Sequence, residues 1–369
     1  MTAHRLEVAD VFHAHQNQFL QRWGHVVSDQ QRKVLRDIGR CRTAALGSHL
    51  ERCDRCNYET VAYDSCRNRH CPKCHGQQTQ RWLEKHQQRL LPCSYYLLTF
   101  TLPSGLRALA YAHQKAIYGL LLSNAAAALQ KLAWDPQYVG AQLAILAVLH
   151  TWTRAMLDHP HTHLLVTAGG LSADGQQWVH PQNPAFLVPG FALSKIFRGK
   201  FKAGLKKLGL FNQVPTSVWQ QNWVVHCQHA GSGQKVLDYL GRYVFRIAIA
   251  NSRIASFQNG QVTFRYRDNR SQQIQHVTLD AQEFIRRFLR HVLPKGFVKV
   301  RSYGLWSPQA GDKLQKARSL LAPPKVESCT PAEITLQADS GPQPWLCPHC
   351  KIGHLVWVRE LLPQRTRGP

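Results

Sequence analysis

Along this chain the spacing of apolar positions changes several times, and each change marks an element. From about residue 5 to 48 no proline interrupts, and Leu35, Ile38, Ala45 and Leu46 are among the apolar positions of a segment that reads as helical. A second helical stretch runs over residues 77–91. Tyr95-Tyr96-Leu97-Leu98-Thr99-Phe100-Thr101-Leu102 then predicts a strand, because it is aromatic and apolar and is stopped by Pro103. Residues 106–157 are rich in Ala and Leu and predict long helices, broken near Asp135-Pro136, that cover one face of a sheet. Further on, Trp223–Cys227 reads as a strand. Val262–Arg267 alternates in a hairpin turned at Asn259-Gly260. Residues 281–292 form a helix with Phe284, Phe288 and Leu289 on one side, and Phe297–Tyr303 returns as a strand.

Within this framework two short patterns carry chemistry. His161-Thr162-His163 opens an apolar, β-favouring run closed by Gly169-Gly170. In an extended strand, side chains two apart share a face, so both imidazoles can grip one divalent ion. His159 falls on the same face, but Pro160 belongs at a strand's start, which favours His161 and His163 as the ligands. Tyr239 and Tyr243 in Tyr-Leu-Gly-Arg-Tyr stand four apart and would share one face of a helix, within reach of a single phosphate. A phenol, with a pKa near 10, attacks phosphorus only when a cation polarises the phosphate and a neighbour takes its proton. The metal pair and the tyrosine pair therefore need one another.

Charge names the partner class. Lys and Arg total 46 against 21 Asp and Glu, a net +25, which points to a polyanion and above all to nucleic acid. Between Phe191 and Phe211 stand Lys195, Arg198, Lys200, Lys202, Lys206 and Lys207 with no acid among them, a surface suited to tracking phosphates. Arg286 and Arg290, and then Lys299 and Arg301, extend the candidate DNA-contact set. No apolar run spans a bilayer and no secretory leader opens the chain, so the expectation is a cytosolic protein with reduced cysteines. Cys53-x2-Cys56 and Cys71-x2-Cys74 are two knuckles that together supply four thiolates for a structural Zn2+, with Arg67 and Arg69 placed to touch DNA. Prolines from residue 323 mark a linker. Beyond it Cys347 and Cys350 form a lone knuckle that Cys329 could help complete.

These motifs, in this order, resemble the rolling-circle transposases of insertion-sequence family ninety-one, two-tyrosine members of the His-hydrophobic-His (HUH) endonuclease superfamily. The resemblance rests on Cys66-Arg-Asn-Arg-His-Cys-Pro-Lys-Cys74, Leu149-His-Thr-Trp152, His159-Pro-His-Thr-His163 with Gly169-Gly-Leu171, Tyr239-Leu-Gly-Arg-Tyr243, and residues 287–297. It implies an α+β fold, a central antiparallel sheet flanked by helices with an N-terminal helical and zinc-ribbon module. The boundaries it suggests are 1–48, 49–90, 91–305 for the nuclease domain, and 306–369. It further implies that His161 and His163 bind Mg2+ or Mn2+, and that Tyr239 and Tyr243 cut single-stranded DNA as 5'-phosphotyrosine. A replication initiator or conjugative relaxase with the same chemistry, or a zinc-ribbon regulator that binds DNA without cutting it, is the alternative. Thr162 departs from the superfamily's hydrophobic residue, but its side chain would face away from a metal.

Overall fold

The computed structural model describes residues 5–183, 186–231, 235–236, 244, 247–268, 271–322 and 345–364. The tyrosine segment, Cys329 and the final five residues lie outside that set.

Two helices open the chain, α1 (Val8–Trp23) and α2 (Asp29–Arg40). Ser28 caps α2: its hydroxyl accepts from the Gln31 backbone at 3.3 Å while the Gln31 side chain accepts from the Ser28 backbone N–H at 2.9 Å. The hairpin β1 (Ser48–Cys53) and β2 (Glu59–Tyr63) follows, then α3 (His75–Gln87) and β3 (Tyr95–Thr101). Next come α4 (Arg107–Ala112), α5 (Gln114–Ala133), β4 (Ala144–Trp152), β5 (Asp158–Thr167), β6 (Gly170–Leu171) and β7 (Trp178–Val179). After α6 (Gly190–Lys207), α7 (Ser217–Gln220) and β8 (Val225–Gly231) the chain makes a meander: β9 (Ile254–Gln258), β10 (Gln261–Arg267) and β11 (Ile274–Asp280). It ends with α8 (Ala281–Arg290), β12 (Val300–Gly304), α9 (Gly311–Leu321) and β13 (Leu355–Leu361).

The central sheet is antiparallel, in the order β12-β4-β5-β3-β8, and the fold is α+β as expected. One correction concerns β4, which lies inside the stretch read as helical. Eight of its nine residues are buried, so Ala144-Ile-Leu-Ala-Val-Leu-His-Thr151 shows no polar alternation to betray a strand. Only α4 and α5 fill the predicted helical region.

One face of this sheet presents Leu98, Phe100, Leu149 and Leu164 to α5 and α6, where Tyr118, Leu121, Phe197 and Phe201 complete the main core. The opposite face is divided. Toward one end Tyr95, Leu146, Val148 and Leu165 build an apolar patch with Trp306, Val236 and Val244. Toward the other end it carries histidines. A second core joins α1, α2, α8 and β10 through Phe12, Leu35, Phe264, Phe284 and Phe288, and Cys41, Cys71 and Cys74 pack at its edge. Among the described residues, no helix is long and apolar enough to cross a membrane.

Candidate active site

Register places the histidines. In β5 the burial alternates, Pro160 and Thr162 inward and His161 and His163 half-exposed, so the two imidazoles share a face as the spacing predicted. Thr162 is buried on the other face, where its hydroxyl donates to the Val148 carbonyl at 3.2 Å. Directly opposite His161 across the β4–β5 ladder stands His150. The three rings form a tight group, with centroids 5.4 Å (His150 to His161), 4.8 Å (His150 to His163) and 4.9 Å (His161 to His163) apart. One nitrogen of each lies within 4.8 Å of those of the others.

Neighbouring groups set the tautomers. The His161 Nδ1–H donates to the His159 carbonyl at 2.6 Å, which leaves the lone pair on Nε2. Thr99 Oγ1 meets His163 Nδ1 at 3.1 Å from the adjoining strand β3. Metal-binding imidazoles are commonly held by such outer hydrogen bonds, and this donor set fits a divalent cation. The ring of His159, the alternative ligand, lies 5.1 Å from that of His161, but its Nδ1 faces Arg107 at 3.5 Å and the converging nitrogens are those of His150, His161 and His163; burial pushes its pKa down. His150 stacks on Trp152 at 5.2 Å.

The imidazoles line a cleft of about 510 Å³ whose far wall comes from the β10–β11 turn. Arg154, Tyr266, Arg267 and Asp268 reach into it, and Arg154 donates to the Arg267 carbonyl at 2.8 Å. Two guanidinium groups beside a histidine cluster suit a phosphodiester. Neither His150, Thr99, Arg154 nor Tyr266 was singled out from sequence. His150 does lie in the Leu149–Trp152 motif, whose signal was present but attached to an element of the wrong type.

The cysteines do not group as expected. Cys53 and Cys56 are not brought to Cys71 and Cys74; instead Cys41, Cys66, Cys71 and Cys74 cluster, and Cys53, Cys56, Cys347 and Cys350 form a separate group. The hairpin is the cause. Ser48 pairs with Tyr63 at its base while Cys53 stands at its tip, about 17 Å away at the rise of a strand. Cys41 and Cys66 flank the base and the first knuckle caps the tip. In the base cluster the sulfurs of Cys41 and Cys66 lie 3.5 and 3.6 Å from that of Cys74. Hydrogen bonds from Cys66 and Cys71 lower the pKa of the Cys41 thiol, and the same contacts raise those of Cys66 and Cys71. Four convergent thiols at the edge of a core suit a structural Zn2+.

The basic residues divide by location. Arg69 turns inward and donates to the carbonyls of Phe297 at 2.5 Å and Pro294 at 3.0 Å. Lys299 lies beside it in a recess, where desolvation and then the Arg69 charge push its ammonium down to about 8. Arg286 pairs with Glu283 at 2.6 Å, and Arg290 with Asp158 at 2.9 Å over the Tyr111 ring. The Arg301 Nε donates to the Val298 carbonyl. All five were read as phosphate ligands; Arg69 commits its guanidinium to backbone carbonyls, while Arg286 stays 41% exposed beside Glu283 and Arg301 gives only its Nε to the protein. Arg67 is exposed. Lys195, Arg198, Lys200, Lys202, Lys206 and Lys207 line α6, which packs on the sheet face away from the histidines. Tyr239 and Tyr243 fall outside the described residues.

A sequence profile described as "Putative transposase" matches residues 144–313, which contain the whole histidine cluster. Another, described as a transposase zinc-binding domain, matches residues 11–102 and so includes the Cys41, Cys66, Cys71 and Cys74 cluster. The chain is 38% identical to "Putative transposase y4qJ" of Sinorhizobium fredii, over 95% of this chain and 94% of that one. It is 27% identical to the transposase for insertion sequence element IS801 of Pseudomonas savastanoi pv. phaseolicola, over 89% of this chain and 85% of the relative. No solved structure matches. Zinc cluster, histidine sheet and full-length likeness agree: the chain belongs to the IS91-family transposases, which carry an N-terminal zinc-binding domain.

Proposed function

We propose that this transposase nicks and rejoins single-stranded DNA at element ends, using Tyr239 and Tyr243 as nucleophiles beside a divalent cation held by His150, His161 and His163. The observation that carries it is the three-imidazole cluster at the floor of an arginine-flanked cleft. Val236 and Val244, which bracket both tyrosines in the sequence, are buried with Val148 and Leu165 on the histidine-bearing side of the sheet, and this supports delivery of the phenols to the same cleft.

When bound, Mn2+ or Mg2+ would neutralise phosphate charge and so favour attack. An all-imidazole donor set suits Mn2+ better than the harder Mg2+, which prefers oxygen. In the proposed step the phenol oxygen bonds to phosphorus, the bond from phosphorus to the 3' oxygen breaks, and the phenol's proton ends on that departing oxygen. The products are a 5'-phosphotyrosine and a free 3'-hydroxyl. Attack by a 3'-hydroxyl on the phosphotyrosine reverses the exchange and restores the phenol, so no outside energy source is required. Arg154 and Arg267 would hold the phosphodiester, and Thr99 and the His159 carbonyl would keep the imidazoles in place for repeated turns.

The test incubates the protein with single-stranded oligonucleotides bearing element ends and Mn2+, and looks for a protein–DNA adduct that survives denaturation. The adduct is expected with the wild type and absent from the Tyr239→Phe/Tyr243→Phe double variant. An adduct that persists in the double variant assigns the nucleophile elsewhere. Binding with no adduct for any end sequence leaves a DNA-binding regulator as the better description.

A further inference from the structure

We propose that Cys53, Cys56, Cys347 and Cys350 form a second four-thiolate zinc centre that clasps residues 345–364 onto the N-terminal hairpin. This centre is independent of the nuclease proposal, and half of it lies far outside the matched zinc-binding region, which ends at residue 102.

The sulfur of Cys53 lies 3.7 Å from that of Cys350, and the sulfur of Cys56 lies 3.7 Å from that of Cys347. A disulfide would bring two sulfurs to about 2.05 Å. Tetrahedral zinc with bonds of about 2.3 Å spaces its thiolates by about 3.8 Å. The two knuckles are built alike. In each, a residue in left-handed conformation follows the second cysteine, Asn57 (φ 56°) and Lys351 (φ 59°). Backbone N–H groups point at sulfur in both, Cys56 to Cys53 at 3.4 Å and Gly353 to Cys350 at 3.3 Å. Such donors stabilise thiolate over thiol.

The knuckles also meet closely. A Cβ on Gly353 would fall 2.6 Å from the Cys53 sulfur and 2.5 Å from Asp54 Oδ1, so only glycine permits this approach. Asp54 Oδ1 accepts from the His354 backbone at 2.9 Å, and the Tyr58 and His349 rings stack at 5.4 Å. Apolar burial does little to hold the segment. Strand β13 pairs with one edge of β1, yet Trp357 remains 63% exposed and Val356 49%. Joining positions 291 residues apart costs chain entropy that so little burial does not offset, whereas metal binding at preset thiols does.

The test uses the full chain carrying a protease site inserted between residues 329 and 340. Elemental analysis of the purified protein is expected to find two zinc ions per chain, falling to one in Cys347→Ser/Cys350→Ser and in Gly353→Val, which keeps every thiol. After cleavage the C-terminal fragment should co-elute with the rest of the chain in the parent and separate from it in either variant. One zinc per chain in the parent, or two in the serine variant, overturns the site. A fragment that stays attached after the serine changes overturns the clasp. If the variants fail to fold, the parent's zinc count and the zinc dependence of its fragment's co-elution still decide.

Discussion

At the residue scale, three of the chain's 20 histidines converge on one point of the central sheet, and these are the three that the proposed chemistry needs. His150 is buried between two strands, and its place in the cluster depends on register rather than on a neighbour in sequence. Replacing it with alanine should abolish Mn2+-dependent adduct formation, a loss of more than about a hundredfold, because disturbing outer partners alone costs about ten- to a hundredfold. DNA binding without metal should survive. Thr99→Val tests an outer partner: the metal concentration for half-maximal cleavage should rise about tenfold or more, with the maximum rate recovered at saturating Mn2+. An unchanged metal dependence would show that Thr99 does not position His163.

Another buried histidine sets an acid limit on stability. His291 is enclosed, its Nε2–H donating to the Met156 carbonyl at 3.3 Å and its Nδ1 accepting from the Thr151 hydroxyl at 3.2 Å. Burial pushes its pKa from the ordinary 6.5 down to about 4. The folded form therefore stays neutral where the unfolded chain already binds a proton. Its contribution is full above pH 6.5 and is lost as pH falls from 6.5 to 4, on the order of 3 kcal/mol in total. Denaturant midpoints measured across that window should fall less steeply for His291→Gln than for the parent. Parallel acid limbs would refute the assignment.

At the element scale, what the sequence revealed depended on how each element is buried. Strand β5 was legible because one of its faces is polar where the histidines stand. Strand β4 was not, because it is apolar on both faces, and a run of Ala and Leu without alternation looks the same in a helix and in a buried strand. That single ambiguity concealed the third imidazole of the cluster. The hairpin turn at Asn259-Gly260 was readable from two residues alone, since both adopt positive φ, 49° and 71°, as this tight turn requires. The basic helix α6 was readable as a charged face but not as to which side of the sheet it covers. The Lys202 ammonium lies over Phe211 and Trp219 and that of Lys206 over Phe211, on the layer away from the cleft, with Lys202 half-exposed and Lys206 exposed. Charge reversal at Lys202 and Lys206 should weaken single-strand binding and flatten its salt dependence by about 0.7 per lost phosphate contact, while leaving the fraction of bound DNA converted to adduct unchanged. A drop in that fraction would place α6 in contact with DNA held in the cleft.

At the scale of the whole molecule, the N-terminal zinc cluster is part of the architecture rather than an appendage. Cys41, Cys71 and Cys74 share a core with α8 and β10, and β10 leads directly into the turn that walls the histidine cleft. Removing zinc from the cluster by Cys66→Ser should therefore lower the thermal midpoint of the nuclease portion as well as that of the N-terminal module. A single cooperative transition followed by near- and far-ultraviolet circular dichroism is the expected result. Two separate transitions, with the second unchanged, would show that the modules are energetically independent.

The amino-acid sequence by itself determined the element types wherever periodicity was unambiguous, the paired imidazoles of β5, the presence of thiol knuckles and the excess of positive charge. These are local properties, set by spacing along the chain and by side-chain chemistry. Tertiary structure alone decided which knuckle joins which, that His150 completes the imidazole group, and that Arg69, Arg290 and Lys299 face inward. Those outcomes depend on strand register and on the length of a hairpin, which bring together residues up to hundreds of positions apart, and no local pattern encodes the distance between them.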